Sequence, residues 1–104
     1  MRKLIATFLA SITGIVIYSQ VEIGNALFDN FEYKSAIKYF KLASSENPNE
    51  YFTPKYLTKL ALVYEKINDL NSALDCYEQI IDDFKDSPEY QISLKNKSRL
   101  EGLI

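Results

Sequence analysis

Ser35-Ala36-Ile37-Lys38-Tyr39-Phe40 reads SAIKYF, and Ser72 to Tyr77 reads SALDCY, with the same Ser-Ala opening and an aromatic four residues after the alanine. Setting Ala36 on Ala73 gives an offset of 37 residues that also pairs Gly24 with Ala61, Ile23 with Leu60, Leu27 with Tyr64 and Phe40 with Tyr77. Small and large apolar residues alternating at helical spacing are what two helices need to pack face to face, the small ones letting the backbones approach. Each copy of the phrase therefore belongs to a helical hairpin, and the chain holds two of them.

Breakers fall where this arrangement needs them. Asn30 separates the helices of the first hairpin and Asn68-Asp69 those of the second, while Pro48 and Pro54 bracket the connection between hairpins. Pro54 suits the first turn of a helix with Thr53 as its cap, and Ser87-Pro88-Glu89 repeats that logic for a last helix. The pattern predicts helices at about 20–29, 33–45, 54–67 and 71–84, then an end helix at about 88–101 stopped by Gly102. In the end helix Tyr90 and Leu94 are expected to face inward, with Lys95, Lys97 and Arg99 in water, so that it covers the open end of the stack. Phe31, Tyr33, Tyr39, Phe40, Tyr64 and Tyr77 are expected to form an aromatic-rich core.

Composition narrows the chemistry. The 104 residues suit one small domain, and 47% of them are hydrophobic. A net charge of −2 argues against wrapping nucleic acid, which needs clustered cations. With no His, three Gly and Cys76 alone, the materials for acid-base, metal or phosphate chemistry are scarce, and Cys76 reads as a small apolar residue in a helix. No cofactor, no metal and no catalytic residue is assigned.

At the N-terminus, Arg2 and Lys3 precede an uncharged apolar run, Leu4 to Tyr18, followed by Ser19. That layout predicts a signal peptide over residues 1–19, with the mature chain beginning at Gln20 and exported to the periplasm. The alternative is an uncleaved membrane anchor, with the rest of the chain facing the periplasm; a buried globular helix is the third reading. Removing residues 1–19 takes away two cations and no acid, so the charge falls from 12 − 14 = −2 to 10 − 14 = −4.

In this register the chain resembles the tetratricopeptide repeat, whose unit of about 34 residues carries a W-x2-L-G-x2-Y, A-x3-F and P pattern. Gly24, Ala36, Phe40, Ala43 and Pro48 match it in the first unit, and Leu60, Ala61, Tyr64, Ala73 and Tyr77 in the second. Gln20 replaces the Trp, Leu27 the Tyr, Ile80 a usually small residue and Lys85 the closing proline; three extra residues in the linker, within NPNEYFT, account for the 37-residue offset. The resemblance implies an all-α fold: a right-handed stack of two helix-turn-helix hairpins, repeat 1 at about 20–50 and repeat 2 at about 54–87, with the end helix as a cap and the apolar N-terminal helix ahead of it. The overall layout looks like small exported or membrane-anchored tetratricopeptide proteins of bacteria.

The resemblance also implies a task. In that family the first helix of each hairpin lines a concave groove that receives a partner's peptide or helix, and here it carries Asn25, Phe28 and Asp29, then Lys55, Thr58, Leu62 and Lys66. Apolar anchors among charges can grip such a segment, the anchors for affinity and the charges for register. One subset clamps a C-terminal carboxylate with a Lys and Asn pair; Asn25 is in place, and Val21 stands at the lysine position. The implied function is a non-catalytic protein-binding scaffold or adaptor, with a membrane-tethered accessory subunit of an envelope complex as the alternative. The partner is another protein or peptide, and the open N-terminal end of a two-hairpin stack also invites self-association.

Two motifs point elsewhere and are set aside. DDFKD at Asp82–Asp86 resembles the acidic magnesium site of isoprenoid synthases, yet no second such site exists in the chain, so it reads as a polar helix end. Asn96-Lys97-Ser98 fits a glycosylation sequon but falls inside the predicted end helix.

Overall fold

The computed structural model describes residues 19–46 and 48–104. The leader, whether read as signal peptide or as anchor, lies outside the described residues except for Ser19, which is the first described residue of the helical fold. Within them the fold is all helical: α1 (residues 19–29), then α2 (Tyr33–Ser45), α3 (Thr53–Lys66), α4 (Leu70–Asp83) and α5 (Glu89–Leu103). Consecutive helices pack on one another from α2 to α5, with a lighter contact between α3 and α5. None of these helices is long and apolar enough to cross a membrane.

The core is the repeat phrase made solid. Ala36, Ala61 and Ala73 are wholly buried, and between them sit Phe40, Leu60, Val63 and Tyr77, with Leu27, Phe28 and Tyr64 packed against the cluster. Gly24 is buried on α1, and a Cβ built there would stand 2.8 Å from the ring of Phe40. No carbon tolerates that approach, so the glycine is what lets α1 lie on the aromatic of α2.

Both hairpin turns are built alike. At the end of α1, the Glu32 N–H bonds Leu27 O at 2.8 Å and the Phe31 N–H bonds Phe28 O at 3.0 Å; at the end of α3, Asp69 N–H bonds Tyr64 O at 2.8 Å and Asn68 N–H bonds Glu65 O at 3.0 Å. These are paired Schellman closures, with Phe31 (φ 63°) and Asn68 (φ 61°) in the left-handed conformation 37 residues apart. The repeat offset read from side chains thus reappears in the backbone. Asn tolerates this conformation and Phe does not, so the first turn carries strain that the second avoids.

This corrects two expectations. The turn residue of the first hairpin is Phe31 rather than Asn30, and its side chain, 77% exposed, points away from the aromatic core it was expected to join. A left-handed residue projects outward from the helix end, and the ring is left edge-on to Tyr33 at 6.2 Å. Tyr33, Tyr39 and Tyr64 are half-buried, and Phe40 and Tyr77 fully so.

Helix starts also differ from the expected caps. Thr53 is already helical, and its hydroxyl accepts the Asn49 N–H at 2.7 Å; the Asn49 side chain in turn accepts from Tyr51 N–H and Phe52 N–H. Ser87 donates its hydroxyl to Phe84 O at 2.7 Å instead of capping α5, and Pro88 stands one place before the helix. Gly102 is inside α5 with open space around it and does not end the helix. Leu94 is exposed, because α5 turns Glu89, Ser93 and Leu100 inward and residue 94 lies about 100° round the helix from Ser93.

The two hairpins differ at one cap. Asp69 accepts the Ser72 N–H at 3.2 Å and the Ser72 hydroxyl at 2.8 Å, whereas Glu32, its counterpart 37 residues earlier, makes no side-chain cap to α2. The extra methylene carries the carboxylate past the N–H groups. Replacing Glu32 by Asp should therefore raise stability by about 0.5–1 kcal/mol, read as a higher urea midpoint at unchanged slope. In the other direction, Gly24→Val should cost about 2 kcal/mol by forcing α1 off Phe40, while Gly102→Ala, with room for its methyl, should be neutral or slightly stabilising in the same thermal melts.

Candidate functional site

Contacts between alternate helices set the geometry of the groove. Lys59 Nζ donates to Asn25 Oδ1 at 3.3 Å, Lys55 Nζ to Glu89 Oε1 at 2.9 Å, and Arg99 Nη2 to Glu65 Oε1 at 2.6 Å. Every pair is 34 residues apart, and the two between α3 and α5 advance together along both helices. α3 and α5 therefore run parallel, and α1, which reverses into α2 through the same tight turn by which α3 reverses into α4, shares their sense and lines one depression with α3 through Asn25, Phe28, Lys59 and Leu62. These three helices form one wall, with α2 and α4 behind it.

On that wall, Asn25, Phe28, Lys59 and Leu62 line a small depression of about 70 Å³ whose floor is Phe40. Leu62 is exposed and Phe28 is half-buried, its ring edge-on to Tyr33 at 5.5 Å. The depression brings together Asn25, Phe28 and Leu62 of the expected groove residues. Lys55 is drawn toward α5 by Glu89, and its ammonium lies 4.6 Å from the ring centre of Tyr51. Thr58 spends its hydroxyl on Pro54 O at 2.8 Å. Asp29 and Lys66 are exposed at the far ends of α1 and α3.

Lys59, Glu89 and Tyr51 were not among the residues expected here. Lys59 and Glu89 had a legible signal: both stand 34 residues from a complementary side chain, the spacing at which neighbouring parallel helices touch. The hydrogen bond to Glu89 raises the Lys55 pKa, with nearby charge acting in the same direction against partial burial.

A second, larger hollow of about 840 Å³ opens on the other face between α2 and α4. Its floor is Leu57, Leu60, Tyr64 and Cys76, its α2 rim Lys38 and Lys41, and its α4 rim Asp75 and Gln79. Burial pushes the Cys76 thiol up to about 12, with Asp75 adding to the effect, so at neutral pH it is a protonated core group and no nucleophile. Burial, then the hydrogen bond to Glu65 at 2.9 Å, raises the Tyr77 hydroxyl as well. Among the described residues no cluster of three or more His, Cys, Asp or Glu is placed to hold a metal ion.

These raised values fix a pH dependence. A thiol whose folded pKa exceeds its unfolded value of about 9 lends stability in full below pH 9 and loses it between 9 and about 12. Urea stability should be level from pH 6 to 8 and fall above pH 9, the thiol contributing a slope of up to about 1.4 kcal/mol per pH unit. Cys76→Ala should cost stability between pH 6 and 8 and flatten that fall, so that its cost shrinks as the pH rises above 9.

Against known proteins, the sequence model of the tetratricopeptide repeat matches residues 17–50 and 54–82, two units whose starts are 37 residues apart. Neither the curated proteins nor the solved structures include a match. Repeats of this kind generally mediate protein–protein interactions and are typically non-catalytic. With two matched units over more than half its length, and with helices packed in sequence order as such stacks are, this chain belongs to the tetratricopeptide repeat family.

Proposed function

We propose that the protein is a scaffold or adaptor that binds a peptide or helix of another protein along the wall formed by α1, α3 and α5. The observation that carries this reading is the pairing of Phe28 and Leu62 across α1 and α3, an apolar notch of about 70 Å³ bordered by Asn25 and Lys59. A notch of that size takes one small aliphatic side chain, and a buried anchor is how a short segment gains most of its affinity. Around it, the exposed Asp29 and Lys66 offer charged partners to the segment, while Lys55 and Thr58 hold bonds to Glu89 and to Pro54 O that a partner would have to exchange. Lys59 is the member added by the geometry, since its bond to Asn25 is at 3.3 Å and is readily exchanged for a partner's acceptor.

The test is a random peptide library selected on the full chain. Selected peptides should lose about tenfold or more in affinity, about 1.4 kcal/mol, on Leu62→Glu, and should be indifferent to Leu42→Glu on the α2–α4 hollow. Peptides that ignore Leu62 and respond to Leu42 would move the binding face to the opposite side of the module.

A further inference from the structure

Because α1, α3 and α5 are parallel with a 34-residue spacing, their N-termini share one edge of the module. Residue 19 is level, within about a turn, with Thr53 and with residue 87, and the linkers that contain Tyr51–Phe52 and Phe84–Ser87 lie along the same edge. The uncharged run Leu4–Tyr18 therefore joins the described fold at this edge.

The edge is aromatic. Tyr51 is 61% and Phe52 48% exposed, their rings edge-on at 4.8 Å, and Phe52 stacks on Tyr56 at 6.1 Å. Lys55 lies over Tyr51, so apolar rings, a phenol and an ammonium are clustered at one solvent-facing place. Rings with polar tips beside a cation are the side chains that favour the headgroup layer of a bilayer, where one end is apolar and the other wet. Glu50, Asp83 and Asp86 outnumber Lys85 beside them, which suits a zwitterionic surface better than an anionic one.

Length supplies the second argument. Leu4–Tyr18 holds 15 residues, short of the ~20 that span a bilayer as a helix. A short span is accommodated by local thinning of the bilayer, which brings the headgroups down to its flank, and that flank is the aromatic edge. We propose that the leader is retained in a membrane and that the module sits on the bilayer through this edge, with Tyr51 and Phe52 in the headgroup layer. The contact shares Lys55 with the wall between α1, α3 and α5 and leaves the notch at Phe28 and Leu62 uncovered.

The chain has no Trp, so a single introduced one reports its own surroundings. Full-length Phe52→Trp and Phe31→Trp variants are reconstituted into phosphatidylcholine vesicles with and without lipids brominated near the top of the acyl chain. Residue 31 sits at the turn between α1 and α2, on the opposite edge. The expected result is a shift to shorter wavelength and loss of intensity to the brominated lipid at position 52, with neither at position 31. Tyr51→Trp repeats the measurement should Phe52→Trp fail to fold. No quenching at 51 or 52, equal quenching at 31, or a chain that intact mass shows to begin at residue 20 would each overturn the proposal.

Discussion

The contact between Gly24 and Phe40 sets the distance on which the rest of the module depends. With 2.8 Å between the ring and the place of a missing Cβ, α1 can lie directly on α2, and only then can Asn25 and Phe28 come level with Lys59 and Leu62 on α3. Ala61 takes the place of Gly24 in the second hairpin and Tyr77 that of Phe40. The larger pair is accommodated with both residues wholly buried. Tyr77 brings a hydroxyl into the interior, and a buried hydroxyl needs a partner. Glu65 supplies it and at the same time takes Arg99, so the aromatic that closes the second hairpin also ties α4 to α3 and α3 to α5.

Helices were legible in the sequence because they are set by periodicity and by breakers. The pattern predicts the second at 33–45, and it is Tyr33–Ser45; the next two are displaced by one residue from their expected bounds. The ends were read less well. Thr53 and Ser87 have the composition of caps, but their hydroxyls are taken by Asn49 and Phe84, because a cap is chosen by local backbone geometry that residue type only suggests. Phe31 was misplaced for a related reason: nothing in the letters says that an aromatic will occupy a left-handed turn position that Asn fills in the other hairpin.

At the groove the apolar members, Phe28 and Leu62, followed from the resemblance, which gives the first helix of each hairpin to the wall. The polar members depended on a second number. Equivalent residues are 37 apart, but touching residues on parallel helices are 34 apart, a difference of about one helical turn by which neighbouring helices are staggered. Reading the chain only at 37 finds the fold and leaves Lys59 and Glu89 unassigned.

The same stagger explains why the two sides of the groove are held differently. On one side, α1 is fixed by close packing against Phe40, an interaction that salt does not weaken. On the other, α5 buries Leu100 as its one large apolar side chain and otherwise turns inward Glu89 and Ser93, of which Ser93 Oγ and Glu89 Oε2 find no hydrogen-bond partner among the described residues. α5 packs on α4, but its light contact with α3 is tied by Lys55–Glu89 and Arg99–Glu65, both partly open to solvent. Ile92, Leu94 and Leu103 remain exposed on α5, apolar surface left outside the shared core. The wall thus has a closely packed margin at the first hairpin and a margin at the cap tied to α3 mainly by ion pairs, so any displacement within the wall falls to α5 before it reaches the contact of Gly24 with Phe40.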